Sequence, residues 1–380
     1  MVRRGVMLDE PPDNPSCTCP DHGKLGKKCK HIFSVEFASK REEQPDGSTK
    51  VTETVTLTET IKRKTYPQVW TAYNAAQTNE KDKFQMLLHD LCRGIPEPPP
   101  KKGRPPLSLS DAVFAACFKV YSTFSGRRFM TDLRQAQANG YVGKAPHFNS
   151  IFNYLENPNL TPILVNLITE SSLPLKAVES EFAVDSSGFS TSRFVRWFDH
   201  KYGGVRQKHD WVKAHLMCGV KTNVVTAVEI LDRDAGDSPQ FKPLVDTTAK
   251  GFTIGEVSAD KAYTNNENFD AVANHGGTLF SMFKKNATGA VGGLYKQMFH
   301  YFCFRQREFL DHYHKRSNAE STFSMIKAKF RDHVRSKTDV AMKNEVLCKI
   351  VCHNICCLIQ EMYELGIEPE FWANSKEAVA

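Results

Sequence analysis

Three carboxylates in this 380-residue chain stand where an acid could do metal-assisted chemistry. Asp185 closes the apolar run Phe182-Ala183-Val184 and is followed by the small residues Ser186, Ser187 and Gly188. Asp260 closes a second run, Thr253 to Ala259, and precedes Lys261. A carboxylate at the end of a buried strand is held rigidly and still looks out over the sheet edge. Two such strands side by side bring like charges together, which is unfavourable unless a cation neutralises them. Hard divalent ions take oxygen ligands of this kind. Two ions about 3.5–4 Å apart activate an attacking oxygen and stabilise a leaving one in an in-line phosphoryl displacement. A single Asp at a strand end is more commonly a turn former. Asp199, Asp210, Asp232, Asp234 and Asp237 compete, and spacing alone does not choose among them.

A third acid has more local context. Tyr313, Arg316, Glu320 and Lys327 follow the pattern Y-x2-R-x3-E-x6-K. At ~100° per residue their offsets fall within about 60° on a helix. One carboxylate would then share a face with two cations, able to hold a phosphate and offset charge developing in a displacement, and with a phenol. The alternative is a capping box, Ser317-Asn318-Ala319-Glu320, in which Glu320 only satisfies a helix N-terminus. On the residues alone these two readings stand even.

The elements that would position these side chains follow from periodicity. Phe182–Asp185, Val212–Val220, Val224–Leu231, Thr253–Ala259 and Thr278–Phe283 read as strands. Pro239–Ala249, Asn266–His275 and Asn318–Phe330 read as helices, and Val340–Tyr363 as an apolar closing helix. Three consecutive strands followed by helix, strand, helix, strand predict an α/β fold, a mixed sheet with helices packed on it. Upstream, Ser110 to about Leu173 is helical, with Ser110 as the expected N-cap. Val113, Phe114, Cys117, Val120, Tyr121 and Phe124 share one face there. His147–Glu156 is a further helix, and Gln68 to Cys92 another helical stretch. Ile95–Pro106 is a linker, since its prolines sustain neither helix nor ladder hydrogen bonds. Val51–Ile61 alternates with period two, and Pro45-Asp46-Gly47 predicts a hairpin with the residues before it.

The first segment carries a separate constellation. Cys17, Cys19, Cys29 and His31 form C-x-C-x9-C-x-H, a complete tetrahedral donor set for structural Zn2+. Lys101-Lys102-Gly103-Arg104-Pro105-Pro106 is a short basic run. Arg127, Arg128, Arg134, Lys144, His147, Asn149 and Asn153, in the helical region, are types that contact phosphates and bases. Cys348, Cys352, Cys356 and Cys357 lie with His353 on the apolar closing helix, where thiols pack as small hydrophobes. A formal charge of +7 suits a polyanionic partner without specifying one. No run of about 18 uncharged apolar residues exists, so no membrane partner is expected. The N-terminus lacks an apolar segment behind its arginines, and eleven cysteines without a secretory signal point to a reducing, cytoplasmic compartment.

Taken together, Asp185, Asp260 and the four-residue pattern resemble the DDE transposases of prokaryotic insertion sequences, in the group marked by a Y-R-E-K signature. The resemblance spans roughly 108–360 and is most specific in FAVDSSGFS (182–190), VSADKAY (257–263) and YHKRSNAESTFSMIK (313–327). It implies an RNase H-like fold in which Asp185, Asp260 and Glu320 bind catalytic Mg2+ or Mn2+, with Tyr313, Arg316 and Lys327 contacting DNA. The stretch DAGDSPQF (234–241) is similar to the family's segment before the second Asp, with Asp237 as a supporting residue. Some relatives insert a β-rich domain between the second Asp and the Glu; here 59 residues separate them, so no mechanism resting on that domain is implied. CTCPDHGKLGKKCKHI resembles a SWIM-type zinc finger, and the basic run resembles an AT-hook core, with Arg104 reaching the minor groove.

The resulting organisation is a zinc-finger segment at 1–42, a hairpin and helix region at 43–94, a linker at 95–107 and a helical DNA-binding region at 108–175. An RNase H-like catalytic domain at 176–338 and a C-terminal helix and tail at 339–380 follow. The expected function is Mg2+-dependent cleavage at element ends and strand transfer into target DNA. The partner is double-stranded DNA bound by a homodimer, at the nucleoid of a prokaryotic cytoplasm. A non-catalytic DNA-binding derivative, or a nuclease without strand transfer, is the alternative.

Overall fold

The computed structural model describes residues 68–99, 107–191, 211–231, 236–284 and 286–372, with four short strands and two turn residues among the first 67. The chain divides into two compact units, 1–67 and 68–380. In the first, β1 (Val2–Arg3) pairs antiparallel with β2 (Ser16–Cys17). β3 (Ser39–Glu43) pairs antiparallel with β4 (Thr49–Glu53), Arg41 opposite Val51. The hairpin read from Pro45-Asp46-Gly47 is therefore present, and Gly47 takes the φ of +81° that the turn needs and a side chain would resist. Residues 54–61 of the expected strand, the metal-ligand candidates Cys19, Cys29 and His31, and Arg104 lie outside the described residues; Cys17 is described only as backbone of β2.

The second unit begins with α1 (Trp70–Thr78) and α2 (Glu80–Arg93). Then come α3 (Leu109–Ser122), α4 (Gly126–Ala138), α5 (Phe148–Leu155) and α6 (Leu160–Ser172). The N-cap of α3 is Ser108, not Ser110: the Ser108 hydroxyl accepts from the Asp111 N–H at 3.1 Å. Glu97, from the proline-rich segment, adds a carboxylate that accepts from the Leu109 and Ser110 N–H groups at 2.8 and 3.0 Å. An acid at a helix N-terminus is favourable on both hydrogen-bonding and dipole grounds. α3 is also buried beyond a single face, every residue from Ala112 to Val120 being at most 6% exposed, while Phe124 past its end is exposed. It is thus the central rod of the helical region.

A five-stranded sheet follows, in the order β7 (Val225–Leu231), β6 (Trp211–Gly219), β5 (Glu181–Ser190), β8 (Glu256–Ala259), β9 (Thr278–Ser281). The β5–β6 and β6–β7 pairs are antiparallel, the β5–β8 and β8–β9 pairs parallel. The expected mixed sheet is present, with β8 three residues shorter than its apolar run and β5 running past Asp185 to Ser190. α7 (Ser238–Ala249) and α8 (Asn266–Ala273) link the parallel strands, and α9 (Gly293–Phe304) and α10 (Gln306–Tyr313) come after β9. α11 (Ser317–Phe330) and α12 (Asp339–Glu364) close the fold.

Alternation along β5 divides the core. Ala183 and Phe189 join the helical region with α11 and α12, whereas Phe182 and Val184 join α7, α8 and α10 on the other face. Asp185 and Ser187 share the parity of Ala183 and so belong to the α11 face. Asn354 on α12, fully buried, clasps β7: its Oδ1 accepts from Val225 N–H at 2.8 Å and its Nδ2 donates to Val225 O at 2.7 Å. α12 is long and apolar enough to span a bilayer by length and composition, but 78% of its most apolar stretch is buried in the fold. It is the core helix that joins the helical region to the sheet. Cys348, Cys352 and Cys357 are buried along it as free thiols, and Cys117 Sγ meets Cys348 Sγ at 3.8 Å.

Candidate active site

The β5–β8 register sets the two aspartates side by side. Val184 pairs with Ala259 in a parallel ladder, so Asp185 and Asp260 are the next residues on adjacent strands, whose backbones run about 4.8 Å apart. Burial raises the Asp185 carboxyl above its ordinary value, and the charges of Glu320 and Asp260 raise it further against the opposing Ser186 N–H and Arg316. Asp185 therefore feels the charges of both other acids.

The third acid arrives on a nearly continuous helical run. α10 ends at Tyr313, one 3-10 turn covers His314–Arg316, and α11 starts at Ser317 without a break in helical backbone. No capping box forms: Ser317 is itself helical and its hydroxyl donates to His314 O at 2.9 Å. Glu320 instead accepts from Arg316 at 2.6 Å across one turn. The Arg316 guanidinium also lies 5.4 Å from the Tyr313 ring centre. Burial raises the Tyr313 phenol, Arg316 opposes that, and Asp260 adds to it, which puts the ring beside the second aspartate. Lys327, two turns further on, donates to Ser187 Oγ on β5 at 2.6 Å. Its ammonium stands over the Phe189 and Phe323 rings at 5.3 and 5.7 Å. Burial lowers its pKa, with Asp332 and Asp185 opposing.

A lysine and a histidine that the sequence reading did not single out support the floor of the site, the imidazole's pKa being lowered by burial and by the lysine's charge. Lys213 on β6 pairs with Asp237 at 2.6 Å, and His215 Nδ1 lies 3.6 Å from the same carboxylate. Ser186, next to Asp185, donates to Asp237 at 3.1 Å. Asp237 is held below the usual carboxylate range, since its bonds and charges from Lys213 and Ser186 outweigh the desolvation that is its largest single influence. Lys213 is half-buried between buried Val212 and Ala214, but His215 is itself fully buried, so strand parity marked only the lysine. The partner strand that gave it meaning was not in the local pattern.

Three carboxylates are the donor chemistry a hard divalent ion takes, and the raised pKa of Asp185, due first to burial and then to the neighbouring acids, is what a cation would relieve. Among the described residues no three His, Cys, Asp or Glu side chains converge closely enough to hold one ion. Glu320 is turned to Arg316, which engages its Oε1 at 2.6 Å. Of the expected residues, Asp185, Asp260, Glu320, Tyr313, Arg316 and Lys327 thus gather around the end of the β5–β8 ladder, Lys327 over the α11 face and Tyr313 packed in the core of the opposite face.

Residues 176–355 match the family model described as Transposase DDE domain, the span that holds the sheet, the three acids and most of α12. Among curated proteins nothing matches the chain. Among solved structures the chain is similar to a piggyBac transposase in a synaptic complex with hairpin DNA, at 8% identity and a TM-score of 0.36. That similarity covers 79% of this chain and 77% of the other.

Proposed function

We propose that the chain is a transposase that cleaves DNA at the ends of a mobile element and joins them to target DNA. The observation that carries this reading is the in-register pair Asp185 and Asp260, joined in one electrostatic cluster by Glu320. It lies within a span matching a transposase DDE domain.

In this reading Asp185, Asp260 and Glu320 hold two divalent ions, Mg2+ or Mn2+. When bound, such ions activate an attacking oxygen and stabilise a leaving one. The protein's own groups do the rest. Arg316, released from Glu320, faces the phosphate undergoing displacement and offsets its charge. Lys327, anchored on Ser187 and enclosed by two aromatic rings, is a fixed ammonium for a neighbouring phosphate. Tyr313 closes the side next to Asp260. Asp237, Lys213 and His215 keep the end of β5 rigid. Cleavage and strand transfer both replace one oxygen by another in line, so the same residues serve both. Two copies would hold the two element ends, and the helical region would supply further DNA contacts. Cys17, Cys19, Cys29 and His31 would hold structural Zn2+, which metal analysis of the purified chain would reveal. Arg104 would enter an A·T-rich minor groove. The insertion-sequence origin and a prokaryotic cytoplasmic setting rest on the sequence resemblance.

The test uses the purified full chain on DNA ends carrying inverted repeats that flank the gene. Cleavage and joining with Mg2+ or Mn2+, both lost in Asp185→Asn, Asp260→Asn and Glu320→Gln while DNA binding persists, support the reading. Cleavage without joining would make the chain a nuclease. Full activity in any of the three variants would remove that acid from the site.

A further inference from the structure

Beyond the end of β5 lies a second basic feature that the acidic site does not use. Ser190, the last residue of β5, exchanges backbone hydrogen bonds with the segment after α11: Ser190 N–H donates to Asp332 O at 3.1 Å and Val334 N–H to Ser190 O at 2.9 Å. This brings Arg335, Ser336 and Lys337 against the helical region, where they close a cavity of about 530 Å3 with Lys119 of α3, the start of α4 and one side of α5. Arg127 and Lys119 reach it over aromatic rings, Arg127 at 5.3 Å from the centre of Phe148 and Lys119 at 5.9 Å from that of Phe152.

Lys119 is the telling residue. It is 6% exposed, and among the described residues its ammonium has no hydrogen-bond or ion-pair partner. The nearest acid, Glu345 of α12, is already engaged: it accepts from the N–H groups of Arg335 and Ser336 and from the Ser336 hydroxyl. Arg331 and Arg335, whose guanidiniums donate to Thr123 O, add positive charge near Lys119, and exposed Glu156 is the other acid lining the cavity. The side chain is buried, but its unpartnered ammonium is not fully enclosed and so opens onto the cleft, where it favours an anion. The N-terminus of α4, a 13-residue helix starting at Gly126, opens into the same cavity, so its free N–H groups and dipole favour the same sign of ligand. Gly126 is needed for this closeness, since a Cβ there would come within 2.8 Å of the Phe152 ring.

We propose that this cleft is a binding site for a backbone phosphate of duplex DNA, held by Lys119 with the α4 N-terminus and flanked by Arg127, Arg335 and Lys337. The reading of the chain as a DNA-processing enzyme supplies only the source of the phosphate. The cleft lies past the end of β5, whose last residue is five positions and roughly 16 Å along the strand from Asp185. It would therefore fix the register of the DNA rather than take part in the reaction.

The experiment measures how the affinity of the full chain for a labelled 30-base-pair duplex (the oligonucleotide length is about three helical turns) changes with salt. It compares the parent with Lys119→Met and with the surface double variant Arg127→Ala/Lys337→Ala. Loss of one phosphate contact lowers the slope of log K against log salt by about 0.9. Lys119→Met is expected to show that drop and at least tenfold weaker binding at low salt, while melting no lower than the parent. The double variant, with both positions exposed, gives a drop of one to two and covers the case in which Lys119→Met misfolds. Inorganic phosphate is expected to raise the melting temperature of the parent and not of Lys119→Met. Asp185→Asn, by contrast, keeps the parent slope and loses cleavage. Unchanged slopes in well-folded Lys119→Met and in the double variant overturn the proposal and leave the transposase reading intact. A phosphate effect with unchanged DNA slopes also overturns it, leaving a small-anion cavity. A parent that binds no duplex overturns both readings at once.

Discussion

Arg316 Nη1 lies 2.6 Å from Glu320 Oε1, one helical turn away, so one oxygen of the third acid is engaged by a guanidinium. The pair is half in solvent, with the Arg316 and Glu320 side chains 31% and 54% exposed, so it is worth no more than about 1 kcal/mol. Arg316→Gln is therefore expected to tighten Mn2+ binding by about two- to fivefold, because the acid no longer exchanges partners. Turnover at saturating metal should drop in the same variant, because the phosphate loses its guanidinium. Calorimetric Mn2+ titration alongside cleavage assays reads both effects. Weaker Mn2+ binding in the variant would mean that Arg316 assists the ions rather than competing with them.

Asp185 leads to a prediction of opposite sign for stability and function. Burial first, then Glu320 and Asp260, raise its pKa, so the folded chain keeps a proton that the unfolded chain has already released. The stability associated with that proton is fully present below the unfolded value of about 4 and is lost as pH rises through the raised folded value. Asp185→Asn removes the buried charge, and at neutral pH should be more stable than the parent by on the order of 1 kcal/mol while losing all cleavage. The gap should shrink as pH falls towards 4. Urea unfolding at several pH values without added metal tests this, and a gap independent of pH would detach the effect from Asp185 ionisation.

How much of this was legible depends on how local each cause is. The strands ending near Asp185 and Asp260 were readable because each is an apolar run, and the Arg316–Glu320 pair follows from helical spacing. The continuation of β5 to Ser190 was not readable, because Ser186-Ser187-Gly188 has no strand propensity. Those residues are extended because β6 pairs with them as far as Trp211 and because Ser190 is tied to 332–334. Likewise the α3 cap involves Glu97, which only the fold brings to the helix start. The basic cleft joins α3, α4 and α5 to residues some two hundred positions later, and no local pattern encodes that meeting.

Lys327 makes one close contact, with Ser187 on the strand that carries Asp185, and its ammonium is held over two rings. A hydrogen bond to a charged group contributes roughly 1.5–3 kcal/mol, so Lys327→Met should slow cleavage and joining by about 10- to 100-fold if that ammonium meets a phosphate. Ser187→Ala should cost less, since it removes the anchor and not the charge. Single-turnover rates at saturating metal make the comparison. A larger loss in Ser187→Ala than in Lys327→Met would assign the chemistry to the strand and not to the ammonium.

His353 gives the protein a stability profile independent of the acidic site. Its Nε2 bonds Asn223 O at 2.9 Å, which identifies Nε2 as the nitrogen carrying hydrogen and ties α12 to the β6–β7 turn, where Asn223 has a φ of 60°. Burial pushes the imidazole down to about 4. The unfolded chain takes up its proton near pH 6.5, so stability falls as pH drops from there and levels off below the folded value. The full effect is on the order of 3 kcal/mol. Glu361, raised by burial to about 7, acts in the opposite sense, its contribution being lost as pH rises from the ordinary carboxylate range. His353→Gln isolates the histidine, because Glu361 affects parent and variant alike. The variant should be less stable than the parent at pH 7.5, through lost packing, and that deficit should shrink steadily down to pH 4.5. A deficit that stays constant across this interval would show that the imidazole is protonated inside the fold.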